Sequence, residues 1–193
     1  MRIKAMLSLT VLVFLLVAGM AIAAAQQPAA APPPPSKFKL TTSAYPEAAQ
    51  IPNQYTCADP NVASPPLQWS NAPAATVSFA LIFHDTDAAP AKGVMDVTHW
   101  ILWNIPASSM QLAGNVKVDA SPDGIVQGKN VRGANGYQGP CPPPGATPHH
   151  YIFELYALDQ KVDLPAGATR ADLLKALDGH VIGKATYYGL FGR

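Results

Sequence analysis

The chain has 193 residues, with 13 lysines and arginines against 12 aspartates and glutamates, so its formal charge is only +1. A chain this close to neutral has no surplus of positive charge with which to hold a phosphate backbone, and nucleic-acid binding is not expected. Its 20 prolines disfavour an all-helical bundle because proline ends or kinks helices, and its two cysteines are too few for a fold held together mainly by disulfides.

The N-terminal residues have the layout of a secretory signal peptide. Arg2 and Lys4 form a short cationic start, and residues 5–25 are uncharged, mostly apolar and end in three alanines. We predict cleavage after Ala25, with a cut after Ala23 as an alternative, and hence a periplasmic or secreted mature protein. The other possibility is an uncleaved membrane anchor, because an apolar run of roughly 20 residues can span a bilayer.

A linker is expected to follow the signal peptide. Residues 26–36 contain four consecutive prolines among alanines and glutamines, a composition that favours an extended polyproline II spacer with little side chain to bury. The folded domain is therefore predicted over residues 37–193, which is long enough for one hydrophobic core.

Several segments of the folded part have the apolar, β-branched and aromatic patterns that are typical of strands. They are residues 38–42, 76–84, 98–105 and 151–159. In the second segment Phe79, Leu81 and Phe83 fall on one face, so that strand is buried on at least one side. The third segment is apolar on both faces, which predicts a central strand.

One segment has the pattern of a helix. Thr169 and Asp172 match the Ser/Thr-x-x-Asp/Glu capping pattern, and Gly179 stands where a helix would end. The apolar stripe that would pack on the sheet consists of Leu173, Leu174 and Leu177. Residues 181–188 fit either a last strand or a second short helix. The predicted class is mainly β, in one domain.

Polar residues cluster where these apolar strands end. The stretches are residues 84–90, 98–100, 136–145 and 149–151. Strand ends beside turns are where a rigid sheet can hold functional groups near solvent. If the four stretches converge, they form one small polar pocket.

The acidic residues and the central histidine in these stretches also have ordinary structural explanations. Asp85 and Asp87, ahead of Pro90, can start a turn, because short carboxylates bond to nearby backbone amides. His99, next to Trp100, can be a core histidine with its hydrogen bonds satisfied.

The remaining histidines and tyrosines are weighed in the same way. His149 and His150 alternate across a strand, so at most one of them can point into a given pocket, and the other is expected at the surface. His84 is assigned a structural role, as is His180. Tyrosines such as Tyr151 usually pack in the core and hold the hydroxyl at its rim.

The sequence carries no catalytic signature. It has no G-x-S-x-G nucleophile elbow, no H-E-x-x-H, no P-loop and no dinucleotide-binding glycine motif, so neither an enzyme nor a cofactor is expected. A metal-dependent hydrolase that uses the aspartates and histidines is an alternative, although their spacing matches no recognised ligand pattern.

The polar and proline-rich motifs form an ordered set. The set comprises Ile51-Pro-x-x-Tyr-Thr-Cys57, Ser64-Pro-Pro-Leu-x-Trp69, Asp85-x-Asp87-Ala with Pro90, His99-Trp100, Ile105-Pro106, Asn135-Gly-Tyr-x-Gly-Pro-Cys-Pro-Pro143, and His149-x-Tyr151 leading into Phe153-x-Leu-Tyr-Ala-Leu-Asp159. In this order the motifs resemble the phosphatidylethanolamine-binding protein family, most closely its bacterial branch, often called Raf-kinase-inhibitor-like. The resemblance extends from about residue 38 to the C-terminus.

The resemblance implies a large central antiparallel sheet, a smaller second sheet, a few peripheral helices and a small pocket for phosphate, acetate or a phosphorylated head group. Carried over by motif, the pocket residues are Asp85, Asp87, His99, Gly139, Pro140, His149 and Tyr151. The family usually has D-P-D-A-P where this chain has Asp85-Thr-Asp87-Ala-Ala-Pro90. The pocket wall can therefore differ in shape, and a cis peptide bond at Pro90 is not assumed.

Such a pocket can bind an anion through histidines, a tyrosine hydroxyl and the backbone N–H groups around Gly139. We expect Asp85 and Asp87 to orient the histidines and a protonated histidine to supply the positive charge. Binding should then weaken as the pH rises above about 6.5, the ordinary pKa of histidine.

The two cysteines, Cys57 and Cys141, both lie in motifs of this set. Export would place them in an oxidising compartment, so a disulfide between them is expected, with two buried free thiols as the alternative.

The favoured interpretation is an exported module that binds a small anionic or phosphorylated ligand. The alternative is an inhibitor of another protein, such as a protease or a kinase, a role that members of this family take. Export argues against a cytoplasmic kinase as the target. Membrane association is expected only if the signal segment is not cleaved.

Overall fold

A computed structural model describes residues 37–89, 94–118 and 124–193. The predicted signal peptide, the predicted linker and Pro90 lie outside these residues. The strands are β1 (Lys39–Thr41), β2 (Leu67–Ser70), β3 (Ser78–Asp85), β4 (Val97–Pro106), β5 (Gln111–Leu112), β6 (Val126–Gln127), β7 (His149–Leu158) and β8 (Val181–Phe191). The helix α1 spans Arg170–Leu177, and a short 3-10 turn spans Asn53–Tyr55.

The strands form two antiparallel sheets, as predicted. The larger sheet has the order β6-β4-β3-β7-β8, and the smaller has the order β1-β2-β5. The four predicted strands all exist, and residues 181–188, left open by the sequence, belong to strand β8. The short strands β2, β5 and β6 were not predicted.

Alternation along the central strands divides the core in two. Phe79, Leu81 and Phe83 of β3 face the smaller sheet, where Trp69 of β2 meets Phe79 edge-on at a ring distance of 5.4 Å. Ala80, also on β3, belongs to the opposite layer, which packs against α1. The larger sheet is therefore buried on both faces around β3.

Strand β4 shows the same division. Trp100 and Leu102 face the first layer, Ile101 and Trp103 face the second, and all four side chains are fully buried. The prediction of a central strand that is apolar on both faces is confirmed.

Helix α1 begins and ends at the predicted signals. The Thr169 hydroxyl accepts a hydrogen bond from the Asp172 N–H at 3.3 Å, and the Thr169 N–H donates to the Asp172 carboxylate at 2.9 Å. Gly179 has the left-handed φ of 81° that ends the turn after the helix. Only part of the predicted stripe is buried, because Leu173 packs on the sheet whereas Leu174 is exposed.

Strand register determines which residues meet at one end of the larger sheet. Asp85, the last residue of β3, lies opposite Val97 near the start of β4 and opposite Tyr151 near the start of β7. His99 and His149 lie within two residues of these partners along their own strands. The antiparallel ladder therefore brings three of the predicted polar stretches together.

Candidate functional site

A cavity of about 270 Å³ opens at this end of the sheet. Its polar lining consists of Asp85, His99, Arg132, Gln138 and His149. Its remaining lining consists of Ala88, Val97, Val131, Cys141, Pro142 and Pro143. All four polar stretches identified in the sequence contribute to it, together with a turn before the third stretch that the sequence did not indicate.

Asp85 and His149 form a buried pair on one wall of the cavity. His149 Nδ1 lies 2.8 Å from Asp85 Oδ2, and little of either side chain is exposed. Asp85 Oδ1 accepts a hydrogen bond of 2.9 Å from the Asp87 N–H. The carboxylate thus fixes the His149 ring, which leaves Nε2 as the polar atom that this imidazole can offer to a ligand.

His99 is held in one tautomer by the loop that follows β6. Its Nδ1 donates to the carbonyl oxygen of Gln138 at 2.8 Å, so Nε2 carries the lone pair when the ring is neutral. The rings of Phe83 and Tyr151 pack against it at 5.7 and 5.3 Å. His99 is therefore a buried core histidine that also lines the cavity.

Burial determines the charge of His99. Desolvation lowers the pKa of the imidazole below its ordinary value, and this effect exceeds the opposing influence of the Gln138 carbonyl and the Asp85 charge. The ring is therefore neutral at pH 7. His99 therefore does not meet the expectation that a protonated histidine supplies the positive charge.

Tyr151 lies behind the cavity and is absent from its lining. The side chain is fully buried, and its hydroxyl makes no hydrogen bond with the described residues. Burial raises the pKa of this hydroxyl strongly, and the nearby negative charge of Asp85 raises it further. The Tyr151 hydroxyl and the Asp85 carboxylate are not in hydrogen-bond geometry. Tyr151 therefore stays protonated and is an available donor.

Asp87 does not line the cavity and is hydrogen-bonded to the start of β7. Its Oδ2 accepts hydrogen bonds from the His150 N–H at 2.6 Å and from His150 Nδ1 at 2.9 Å. Partial burial alone would raise the pKa of Asp87, but these bonds from His150 hold it below its ordinary value. Of the two adjacent histidines, His149 lines the cavity and His150 is half-exposed, as alternation predicted.

Gly139 and Pro140 support the loop without lining the cavity. A Cβ atom on Gly139 would lie only 2.7 Å from Cγ2 of Val62, so this close approach requires glycine. The Pro140 carbonyl accepts a hydrogen bond of 3.0 Å from the Cys57 N–H. Both contacts dock the loop on the segment after the 3-10 turn.

The predicted disulfide is present between Cys57 and Cys141. Their Cα atoms are 5.4 Å apart although 84 positions separate them in the chain. Cys141 and the two prolines after it form part of the cavity wall. The bridge therefore anchors the wall to a distant segment.

Arg132 is the lining residue of greatest chemical interest that the sequence did not indicate. It follows Asn130, whose side chain accepts from the Arg132 N–H at 2.9 Å and donates to the Gly136 carbonyl at 3.0 Å. The turn is thereby held against the start of the 136–145 stretch. Its position shortly before that stretch was the available signal, but an isolated arginine matches no motif.

His84 lies on the opposite face of the sheet from Asp85. Its Nδ1 contacts the Asp96 carboxylate at 2.7 Å, and Asp96 also pairs with Arg170 at the start of α1. These contacts tie the helix to the sheet, which fits the structural role expected for this histidine. Among the described residues no group of three or more His, Cys, Asp or Glu could hold a metal ion.

Comparison with known proteins places the chain in a family. The family model described as phosphatidylethanolamine-binding protein matches residues 41–192. This chain belongs to the phosphatidylethanolamine-binding protein family. A relative named UPF0098 protein, from Methanothermobacter thermautotrophicus, is 48% identical over 156 residues, which are 80% of this chain and 98% of the relative.

Solved structures place it in the bacterial branch of the phosphatidylethanolamine-binding protein family. YbcL of Escherichia coli, described as a member of the mammalian family, is 30% identical, with a TM-score of 0.73 over 81% of this chain and 98% of its own. A homologue from Chlamydia trachomatis is 34% identical, with a TM-score of 0.73 over 82% and 99% of the two chains. The resemblance stated from the motifs is confirmed.

Proposed function

We propose that this protein is exported and that its cavity binds a small oxyanion, such as phosphate or a phosphorylated head group. The supporting observation is that Asp85, His99, Arg132 and His149 converge on one cavity although their positions are scattered along the chain. A volume of about 270 Å³ is slightly below the range of drug-sized sites and suits a head group.

In this proposal Arg132, and not a protonated histidine, supplies the positive charge that attracts the anion. Its guanidinium stays charged at every physiological pH, whereas burial keeps His99 neutral. His99 and His149, which line the cavity, would then orient the ligand. Binding would fall less with rising pH than it would if a histidine carried the only positive charge.

Isothermal titration calorimetry with phosphate and with phosphoethanolamine tests the proposal. We expect the His99→Ala, His149→Ala double variant to lose at least about tenfold in affinity, because it removes both imidazoles that line the cavity and the hydrogen bonds that their Nε2 atoms can make with a phosphate or its P–OH group. We expect Arg132→Gln to lose up to roughly fivefold, the upper end of the range for an exposed ion pair.

Lys129→Gln is the matched control for Arg132→Gln. Lys129 carries the same charge three residues earlier but lines a neighbouring cavity and not this one. Equal heats for the wild type and the double-histidine variant would refute the proposed site. Equal losses for Lys129→Gln and Arg132→Gln would show that general surface charge, and not this cavity, attracts the anion.

Export is supported by two observations beyond the composition of residues 1–25. The Cys57–Cys141 disulfide is typical of proteins that reside in oxidising compartments. A relative from Mycobacterium tuberculosis, 37% identical over 79% of this chain, carries the name of a lipoprotein, LppC. We propose a mature protein in which the linker of residues 26–36 precedes the domain of residues 37–193.

Ligand binding without catalysis is the function proposed.

No helix in the described parts of the chain is long and apolar enough to cross a bilayer. Within those same parts, nothing favours the protein-inhibitor or hydrolase alternatives, and neither is proposed.

A further inference from the structure

A second cavity, of about 420 Å³, lies beside the start of helix α1. It is lined by the start of β4, the turn after β6 and the first residues of the helix. It shares Val131 with the cavity proposed for an oxyanion but contains none of Asp85, His99 and His149. Its volume falls within the range of sites that bind small organic molecules, and the proposed function makes no use of it.

The turn that carries Lys129 to this second cavity is fixed by backbone hydrogen bonds on both sides. The Lys129 N–H donates to the Ala168 carbonyl at 3.0 Å, and the Val131 N–H donates to the Thr98 carbonyl at 2.7 Å. Asn130, between them, is 8% exposed and uses its side chain within the turn. The fold itself thus holds the wall of the cavity, which reduces the entropy lost on binding.

Positive charge exceeds negative charge in the lining of the second cavity. Two cations, Lys129 and Arg170, face one carboxylate, Asp96, which already pairs with Arg170. Within the described ranges Lys129 is exposed and makes no ion pair. Asp172, which interacts with the Lys129 charge, is bonded to Thr169 and does not line the cavity. A single positive charge is therefore left for a ligand.

Arg170 has more hydrogen-bond donors than the described residues satisfy. A guanidinium has five N–H donors, and here Nη1 donates to Asp96. Nη2 lies 3.5 Å from His84 Nδ1, a ring nitrogen that is already 2.7 Å from the Asp96 carboxylate. Nε is buried and has no hydrogen-bond partner in the described parts of the chain. The charge of Arg170 is thus only partly compensated, which favours an anion in the cavity.

The lining also includes exposed apolar side chains. Met95 is 39% exposed, Val131 is 46% exposed, and Ala171 is exposed as well. Apolar side chains beside a cation suit a ligand that has an apolar body and one negatively charged end. A dianion such as phosphate would bring more negative charge than the lining compensates and would leave these side chains uncovered.

We propose that the second cavity binds a monocarboxylate that carries an apolar side chain, of the size of an N-acylated amino acid. Lys129 contacts the carboxylate, Arg170 adds to the positive potential, and Met95 and Val131 cover the apolar side chain. This site does not depend on the oxyanion site, because the charged residues that line the two cavities are different.

Isothermal titration calorimetry of the full mature chain at pH 7 tests the proposal with N-acetyl-leucine, N-acetyl-leucinamide and acetate. The amide keeps the apolar group and removes the charge, whereas acetate keeps the charge and removes the apolar group. We expect N-acetyl-leucine to bind at least about threefold more tightly than either, since each control lacks one of the two contacts. No binding of N-acetyl-leucine, or equal binding of either control, would overturn the proposal.

Lys129→Gln and Lys175→Gln form a matched pair of variants. The first should lower the affinity for N-acetyl-leucine up to roughly fivefold, the upper end of the range for an exposed ion pair. The second removes the same charge from α1 outside this cavity and should leave the affinity unchanged. Equal losses in the two variants would mean that general surface charge attracts the probe and would overturn the contact with Lys129.

Ala171→Glu tests the location of the site without removing a side chain that binds. It adds a negative charge to the cavity lining in the first turn of α1, where acidic residues stabilise a helix, so the variant should fold. We expect N-acetyl-leucine to bind more weakly to this variant than to Lys129→Gln. Unchanged affinity, with folding checked by near-UV circular dichroism, would overturn the location.

Competition with phosphate separates this proposal from the proposed function. Excess phosphate should leave the affinity for N-acetyl-leucine unchanged, because the two ligands occupy different cavities. Displacement of N-acetyl-leucine by phosphate would place it in the oxyanion cavity and overturn the second site. If phosphate does not bind at all, the oxyanion function alone is refuted, since the comparison of N-acetyl-leucine with its amide does not involve phosphate.

Discussion

His99 illustrates how one buried side chain can serve both packing and recognition. Its ring packs against Phe83 and Tyr151, and its Nδ1 is committed to the Gln138 carbonyl. The same contacts that bury the ring lower its pKa and so keep Nε2 an acceptor at neutral pH. The sequence placed His99 at the site but could not predict its charge, because burial depends on strands that are distant in the chain.

The lowered pKa of His99 predicts a pH dependence of stability. In the unfolded chain His99 has its ordinary pKa of about 6.5, so it takes up a proton when the pH is lowered from 7.5 to 5. In the folded protein the pKa of His99 is lower, so protonation requires a more acidic pH. Folding therefore releases a proton, and the free energy of unfolding falls as the pH falls. His84 also disfavours the protonated form of His99, whereas Asp85 and the carbonyl groups of Gln138 and Gly139 favour it and partly offset the shift.

Urea unfolding of wild type and His99→Gln at pH 7.5 and 5 measures this contribution. We expect the variant to lose less stability than the wild type over that interval. His180→Gln serves as the control, because that histidine is far more exposed. An identical loss in wild type and His99→Gln would contradict a lowered pKa. Asp87 does not affect this comparison, because its pKa is below its ordinary value and it does not titrate between pH 5 and 7.5.

Among the elements, strand length explains part of what the sequence predicted, although the three-residue strand β1 was predicted and the eleven-residue strand β8 was left open. Strands β3, β4 and β7 have eight to ten residues each, enough for alternation to appear. Strands β5 and β6 have two residues each and carry no period, so only their pairing in the folded sheet defines them. Helix α1 is short, but its capping residues predicted it even without the pattern of apolar residues along the helix.

The proline-rich loop with Cys141 is the element most dependent on one covalent bond. Replacing both cysteines by alanine should lower the free energy of unfolding by about 3 to 4 kcal/mol, because the unfolded chain would no longer be constrained by a long loop. Anion affinity should fall too, since Cys141, Pro142 and Pro143 line the cavity.

Chemical denaturation and calorimetry of the double-alanine variant test both effects. Thiol titration of the denatured, unreduced wild type should find no free thiol. Two free thiols, or unchanged stability in the variant, would contradict a bridge that contributes to folding.

At the scale of the whole molecule, pattern and resemblance contributed different parts of the prediction. Alternation and composition predicted a mainly β domain, but they could not predict which strand ends meet. That information came from the motif set, and the register of β3 with β4 and β7 now explains it. Arg132 was missed because a residue on a turn becomes part of a site only through the folding of the rest of the chain.

The proposed export concerns the whole chain and is tested on it. Expressed in a bacterial host, the protein should appear in the exported fraction without its first 25 residues. Mass spectrometry of that material should find Gln26 at the N-terminus, or Ala24 if the cut follows Ala23. Recovery of the protein with residues 1–25 intact would contradict cleavage.

The link between Cys57 and Cys141 also changes what a protease can do to this protein. Every strand from β2 to β6 lies within the stretch that the bridge closes. A single backbone cut anywhere in that stretch leaves one covalent molecule, whose two pieces separate only after reduction. A domain nicked there would thus keep both sides of the cavity wall joined until the bridge is reduced.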